Sequence, residues 1–496
     1  MNELALPGGG DLWRAPADRE FASYQNLART SGASAHFATT SEILTPRWRY
    51  EWGDPTLLLG HHADQRVGLA YDDRHCLTVA GSRGGKGVSL IVPNLILWPG
   101  SALVLDPKGE LARMTVRARR EANGQDVVVL DPFGVSGQPQ ASCNLLDMID
   151  LDSPRVVADL HLLLESLIQD SASDSHWTAG GRELVMSLVA HAKVHLHRPS
   201  LVDVYDLLSG KHGTVLGSMD MPSDVFGAML CDDQSLNGAL KAMAIRWLEI
   251  PSREQGSILS TARRQLAWLE GLNNPEAAMT RVSESSTFRL ADLKRKNVSL
   301  YLCLPASDMH GYRAWLRAFV NMAMAALENT PSRPGAPPVL LLLDEFATLG
   351  YMPSLEKAAG LLAGAGVKLW PIVQDLGQLE AIYGKRWGTF IGNAGVTTWH
   401  ALGGDRMTAE YLSARLGNTQ YWEEELPSGD FLTRATTGLL QGGGRWAAHP
   451  LLSPDEIERA FARETGRLLA LSPGSAPMIL DRFDIRHGFL KEWIDD

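Results

Sequence analysis

Residues 76–95 read CLTVAGSRGGKGVSLIVPNL. An apolar run, three glycines, a lysine and a second apolar run follow in that order. The order predicts a buried strand ending near Ala80, a turn at Gly81, Gly84 and Gly85, and a helix opening near Lys86. Glycines let backbone N–H groups approach phosphate oxygens, and a helix N-terminus favours an anion. Lys86 would then reach the outer phosphates. Two positions depart from the usual pattern. Ala80 stands at the first glycine position, and Gly87 stands where a Ser or Thr hydroxyl normally ligates magnesium. Ser89 does not substitute, because two residues carry it about 200° around an α-helix. The segment alone leaves two readings open: an ATP site without its hydroxyl ligand, or a glycine-rich turn.

Outward from this loop, apolar runs with strand character recur: 75–80, 101–106, 126–131, 297–305, 338–345, 367–373, 395–402 and 467–472. Most are continuous rather than alternating, which marks strands buried on both faces. Helical patterns lie between them, such as residues 309–329. Alternation of this kind predicts an α/β fold with a mostly parallel sheet. Between 175 and 285 the strand runs stop, and three stretches carry helical spacing. This section is expected to be an all-α domain inserted into the α/β domain. The expected division is an N-terminal arm at 1–40, a nucleotide-binding domain at 41–174, the insertion, and the second half of the nucleotide-binding domain at 286–496. The stretch LLQGGGRWAA (439–448) reads as a flexible loop.

Several strand ends carry chemistry. VLLLLDEFATLG places Asp344 and Glu345 after an apolar strand. An acid there can hold magnesium through water, and its neighbour can orient or deprotonate an attacking water. Gln374 follows the run VKLWPIV and can sense a phosphate or place a water. Asp106, Lys108 and Glu110 follow another strand, with a tight solvated turn as the plain reading. His191 and His195 stand at i, i+4. Without a nearby acid or cysteine pattern, they read as a solvated helix face rather than a zinc site. The basic runs 113–121 and 293–297 read as solvated faces and are also the local candidates for a phosphate backbone.

The chain has 496 residues, 45% of them apolar, and a net charge of −11. Its overall field does not draw it to DNA, so any nucleic-acid contact must use a local surface. Four cysteines share no metal-like spacing, and Cys76 and Cys303 sit in apolar runs, which suggests a reducing compartment. No basic start with an apolar core opens the chain, and no apolar run reaches the ~20 residues a membrane span needs.

In order and wording, these stretches resemble the coupling-protein ATPases of type IV secretion and conjugation, the TraG/TraD-like family. VAGSRGGKGVSLIVPNLILWPGSALVLDPKGEL, VVVLDPFG, SHWTAGGRELV, SILSTARRQL, LYLCLPASDMHGYRAWLRAF, LLLLDEFATLG, IVQDLGQLEAIYG and DRMTAEYLSARLG follow one another as in that family, over about residues 60–485. Gly-Lys-Gly endings are common there. The resemblance implies a RecA-like P-loop fold with an inserted all-α domain. It implies ATP and Mg2+ as cofactors. Gly81, Ser82, Arg83, Gly84, Gly85, Lys86, Gly87 and Val88 would cradle ATP. Asp344, through water, and Glu345 would serve magnesium and hydrolysis, and Gln374 would be the sensor. Arg406 is the candidate arginine finger, offered to a neighbouring subunit of a hexameric ring. The implied partners are single- or double-stranded DNA, a relaxase or effector protein, and a secretion channel or membrane partner at the inner face of the cell membrane. Many members begin with transmembrane helices and this chain does not, so a weakly assembled monomer is expected in isolation. Two rivals stand beside the coupling protein: a cytosolic FtsK-like DNA translocase, and an ATP-binding receptor or adaptor with little turnover.

Overall fold

The computed structural model describes residues 34–69, 72–169, 175–210, 222–270, 278–283, 285–424, 444–486 and 490–493. Most of the arm expected at 1–40 lies outside them. Thirteen strands are described: β1 (Leu57–His62), β2 (Gln65–Leu69), β3 (His75–Ala80), β4 (Ala102–Asp106), β5 (Asp126–Leu130), β6 (Val298–Cys303), β7 (Val339–Leu343), β8 (Val367–Val373), β9 (Ala394–His400), β10 (Asn418–Glu424), β11 (Gly444–Pro450), β12 (Arg467–Leu471) and β13 (Met478–Asp481). Eleven form one sheet in the order β2-β1-β13-β12-β9-β3-β8-β7-β4-β6-β5. From β9 to β5 every pairing is parallel. The remaining pairings, through β12, β13, β1 and β2, are antiparallel.

Strand polarity explains the continuous apolar runs. Successive side chains point to opposite faces. Leu77, Val79, Leu103, Leu105, Leu341 and Leu343 enter one core, while Cys76, Ala102, Val104, Leu340 and Leu342 enter the other. Both faces exclude water, so neither set can be polar.

The principal helices are α1 (Val92–Leu97), α2 (Glu110–Glu121), α3 (Val156–Leu167), α4 (Ser175–His195), α5 (Leu201–Ser209), α6 (Pro222–Leu230), α7 (Ala239–Glu249), α8 (Ser252–Leu266), α9 (Arg313–Asn329), α10 (Pro353–Leu361), α11 (Leu376–Tyr383), α12 (Arg406–Leu416) and α13 (Pro454–Ala460). Helices α4 to α8 bury Leu184, Leu188, Phe226, Leu240 and Ile258 in the core that also holds Leu77 and Leu103, so this helical section and one sheet face are continuous.

Three readings of the sequence are corrected here. Residues 444–448 of the expected loop belong to strand β11, paired antiparallel with β10 through Trp422 and Trp446; residues 439–443 lie outside the described residues. The basic run 113–121 is not simply a solvated face. Arg119 is fully buried and donates to the carbonyls of Leu95, Trp98 and Gly100 and to Ser299 Oγ. It stitches the end of α1 to β6, and burial lowers its pKa to about 10. In the second run, Lys294 is buried and donates to Thr330 O and Ala365 O.

Candidate nucleotide site

Strands β9, β3, β8 and β7 are neighbours and run parallel, so their carboxyl ends open along one edge. That edge is where open α/β sheets take ligands. The loop after β3 closes on itself, with Gly84 N–H donating to Gly81 O at 3.0 Å. Arg83 and Gly85 are left-handed, at φ 55° and 81°. Backbone kinked in this way turns N–H groups into a shared concavity, an anion nest. A Cβ at Gly84 would lie 2.5 Å from Ala401 Cβ, and one at Gly81 would strike the Ala401 carbonyl. Both glycines are therefore required by the close approach of the chain after β9. Gly87 has no such constraint, since nothing lies within 4 Å of a Cβ built there and its φ is not left-handed.

The helix opens differently from expectation. Gly87–Ile91 form a π-type turn before α1 begins, not an α-helical one. Such turns are rare and concentrate at functional sites. Ser89 within it is buried, with a hydroxyl that has no hydrogen-bond partner among the described residues.

Lys86 reaches across the sheet edge. Its Nζ lies 2.7 Å from Asp344 Oδ1 and 3.3 Å from Glu345 Oε1. Gln374 Nε2 donates to Glu345 Oε2 at 3.2 Å, and its Oε1 accepts from Ser82 Oγ at 3.1 Å. A continuous polar chain thus runs Ser82–Gln374–Glu345–Lys86–Asp344 and ties the loop to β8 and β7. Glu345 sits in left-handed backbone at φ 57°. This conformation costs a non-glycine residue on the order of 1 kcal/mol or more and persists where the surroundings impose it.

The two charged partners respond differently to their setting. Burial pushes the Lys86 amine down, but Asp344 and Glu345 outweigh it and hold its pKa above the usual value. For Asp344, burial pushes the pKa up and Lys86 only partly opposes it. The asymmetry follows from number: one amine faces two carboxylates. Lys86 is therefore charged.

Asp106, read from sequence as part of a solvated turn, is instead 1% exposed at the end of β4. Its Oδ2 accepts from Ala112 N–H at 2.8 Å, which ties the start of α2 back to the strand. Burial raises its pKa to about 6, and Asp344 adds to the rise.

Arg406 does not join this group. It stands exposed at the start of α12 and pairs with Glu410 at 2.8 Å and with Asp455. His191 is buried, not solvated, with its ring 4.6 Å from that of His195, which pairs with Asp232 at 3.2 Å. Among the described residues, no group of three or more His, Cys, Asp or Glu is placed to hold a metal.

Two residues beside the loop escaped the sequence reading. His400 ends β9, and its carbonyl accepts from Gly81 N–H at 3.4 Å. Its ring is buried with both nitrogens unpartnered among the described residues. Burial, then Arg482 and Lys86, depress its pKa to about 3, so it is neutral. Arg482, just past β13, donates to Gly84 O and to Arg463 O. Neither has a local sequence signature, since both owe their place to strands far apart in the chain.

The family model described as type IV secretory system conjugative DNA transfer matches residues 27–479. The chain belongs to that family. The conjugal transfer protein TraG of Escherichia coli is 30% identical over 403 residues, covering 78% of this chain and 61% of TraG. VirD4 of Agrobacterium fabrum is 28% identical over 351 residues, covering 69% of this chain and 49% of VirD4. The chain therefore spans about three-fifths of the length of TraG and half that of VirD4. Among solved structures, the bacterial conjugative coupling protein TrwBdeltaN70 superposes with a TM-score of 0.65 over 90% of this chain and 92% of that one, at 16% identity. The plasmid coupling protein TrwB in complex with ADP and Mg2+ gives 0.65 over 91% and 94%, at 17% identity. These likenesses establish the RecA-like fold with its helical section. Among the described residues, no helix of this family member is long and apolar enough to cross a membrane.

Proposed function

We propose that this chain is an ATP-hydrolysing coupling protein that recruits DNA–protein or protein cargo to a type IV secretion channel. The observation that carries the reading is the position of Lys86 Nζ between Asp344 and Glu345, with Gln374 bridging Glu345 to the loop. A glycine turn without function has no reason to aim its lysine at two acids on a separate strand. TrwB, which shares the fold, has been solved with ADP and Mg2+ and with a non-hydrolysable ATP analogue.

The residues present fit such a ligand. The left-handed backbone at Arg83 and Gly85 has the form of an anion nest, and Gly81 and Gly84 let the loop lie against Ala401, where a Cβ would not fit. Within residues 81–88, backbone N–H groups other than those of Gly81 and Gly84, which donate to His400 O and Gly81 O, would meet the phosphates, and Lys86 would neutralise the outer ones. The magnesium ion, when bound, supplies positive charge against the charge developing on the transferred phosphoryl group. Asp344 is the side chain to hold it through water, because no hydroxyl occupies position 87. Once Lys86 turns to a phosphate, Glu345 Oε1 loses its cation and is available to accept a proton from water. Gln374 holds the opposite oxygen, Glu345 Oε2, and so fixes the direction in which Glu345 faces. Arg406 serves a neighbouring subunit only after leaving Glu410 and Asp455, which makes ring assembly part of activation. The helical section at 175–285 is the proposed cargo-facing domain, with 41–174 and 286–496 forming the nucleotide-binding domain.

The test is ATPase rate and molecular mass of the purified chain, with and without single-stranded DNA. Rate and mass rising together support an assembling motor. Rate stimulated by DNA with no channel-dependent transfer supports an FtsK-like translocase. Nucleotide binding without turnover under every condition supports a receptor.

A further inference from the structure

Arg482 stands apart from the residues that face a nucleotide, yet it touches the loop that would hold one. It is the first residue after β13, in the antiparallel part of the sheet. Three contacts fix it. Its backbone N–H donates to Gly466 O at 2.7 Å. One terminal nitrogen donates to Arg463 O, and the other donates to Gly84 O. The same terminal nitrogen lies 3.5 Å from where a Gly85 Cβ would stand. The guanidinium thus spans the turn at 463–466 and the outer wall of the loop.

The consequence lies in the peptide between Gly84 and Gly85. A trans peptide is planar, with its C=O and N–H pointing opposite ways. Drawing Gly84 O outward to Arg482 turns Gly85 N–H inward, towards the concavity between the left-handed residues Arg83 and Gly85. On the other side, Ala401 presses against Gly81 and Gly84. The loop is held between two walls, both supplied from the carboxyl-terminal third of the chain. Glycine backbone is the most mobile a chain can offer, so an unbraced loop of this composition would sample many peptide orientations.

We propose that Arg482 is a positioning residue that pre-sets the Gly84–Gly85 peptide for phosphate, from within the same chain and without touching the nucleotide. This rests on the nucleotide-binding reading above. A guanidinium suits the task, because its planar fork reaches two carbonyls at once and stays charged. A lysine offers a single nitrogen where the guanidinium places two, so it reaches both carbonyls less well.

Arg482→Ala and Arg482→Lys test it with two readouts. The first is the Kd for ATP and for inorganic tripolyphosphate, which engages the loop without a base or sugar. The second is amide hydrogen exchange at Gly84, Gly85 and Lys86 in nucleotide-free protein. Loss of a charge-assisted hydrogen bond predicts both affinities falling by about tenfold or more in the alanine variant, with faster exchange confined to the loop. The lysine variant should recover part of both, which also guards against an alanine variant that fails to fold. Affinity within twofold of wild type in a folded alanine variant, or unchanged loop exchange, overturns the proposal. Equal loosening of β3 and β8 overturns it too, since Arg482 would then be a general fold contact. If wild type itself binds neither ATP nor tripolyphosphate, the nucleotide reading fails, while the exchange measurement still decides whether Arg482 braces the loop.

Discussion

Replacing Asp106 by Asn should stabilise the nucleotide-free protein at neutral pH and leave it unchanged in acid. Asp106 is 1% exposed and has no cation among its hydrogen-bond partners. Burial is the chief reason its pKa climbs from 3.8 to about 6. Backbone N–H groups of Ala112, Leu111 and Lys108 oppose the rise, and the charge of Asp344 adds to it. The folded state therefore holds the proton more tightly than the unfolded chain. The sign follows from linkage: a raised pKa contributes stability below the unfolded value and loses it as pH rises through the folded value. At 1.36 kcal/mol per unit, the step from 3.8 to about 6 is worth about 3 kcal/mol. Asn keeps the shape and an oxygen for Ala112 N–H, but never ionises. The variant should match wild type near pH 4, diverge between about pH 4 and 6, and lead by up to about 3 kcal/mol at pH 7.5. For a chain of this size, that is a rise of about several degrees in unfolding temperature. The assay is the unfolding midpoint of both proteins in EDTA across this range, so that no cation alters the local field. A gap that does not change with pH, or a wild type that is the more stable at pH 7.5, would refute the reasoning.

Lys86→Ala should abolish ATP binding, as measured by calorimetry, while the far-ultraviolet spectrum is retained; unchanged affinity would remove the loop from the site. Glu345→Gln should keep ATP bound but slow hydrolysis by orders of magnitude, whereas Asp344→Asn should raise the magnesium needed for binding; equal losses of affinity in both would show the two acids share one role. Gly87→Ser should lower the magnesium concentration for half-maximal ATPase, since a Cβ there meets nothing within 4 Å and the backbone is not left-handed; superimposable titrations would mean the metal does not miss a hydroxyl.

The strands around the site were legible because burial on both faces leaves mostly apolar residues, with a few hydrogen-bonded exceptions such as Thr78 and Thr398, and β3, β4, β6, β7, β8 and β9 all announce themselves in this way. Strands β1, β2 and β13 were not, because they lie towards the sheet's antiparallel edge, where polar residues such as Gln65, Arg66 and Asp481 are tolerated. Lys86 stood out because it closes a glycine turn after an apolar run, and Asp344, Glu345 and Gln374 because they follow apolar runs directly. Asp106 does so too, but nothing in its local sequence says that α2 folds back over it. His400 and Arg482 act through strand order, which local pattern does not encode. The π-type turn at Gly87–Ile91 has no composition of its own.

The sheet order carries a further consequence for how the molecule comes into being. Strands β12 and β13 lie between β9 and β1, although both are made after β9 and long after β1. The hairpin of β1 and β2 leaves the ribosome early with no strand to lie beside until residues 478–481 arrive. Pairings that span so much of the chain are slow to form. Asn94 of α1 ties β1 to the early part of the chain: its side-chain amide exchanges hydrogen bonds with both backbone groups of Leu58 at 2.8 Å, as a neighbouring strand would. The loop at Gly81–Lys86 must likewise wait for Ala401 and Arg482 before it is walled on both sides. On the proposed reading of the loop, the nascent chain has no finished phosphate cradle until Arg482 has been made, and a ribosome stalled short of β13 would carry a product whose loop lacks one wall.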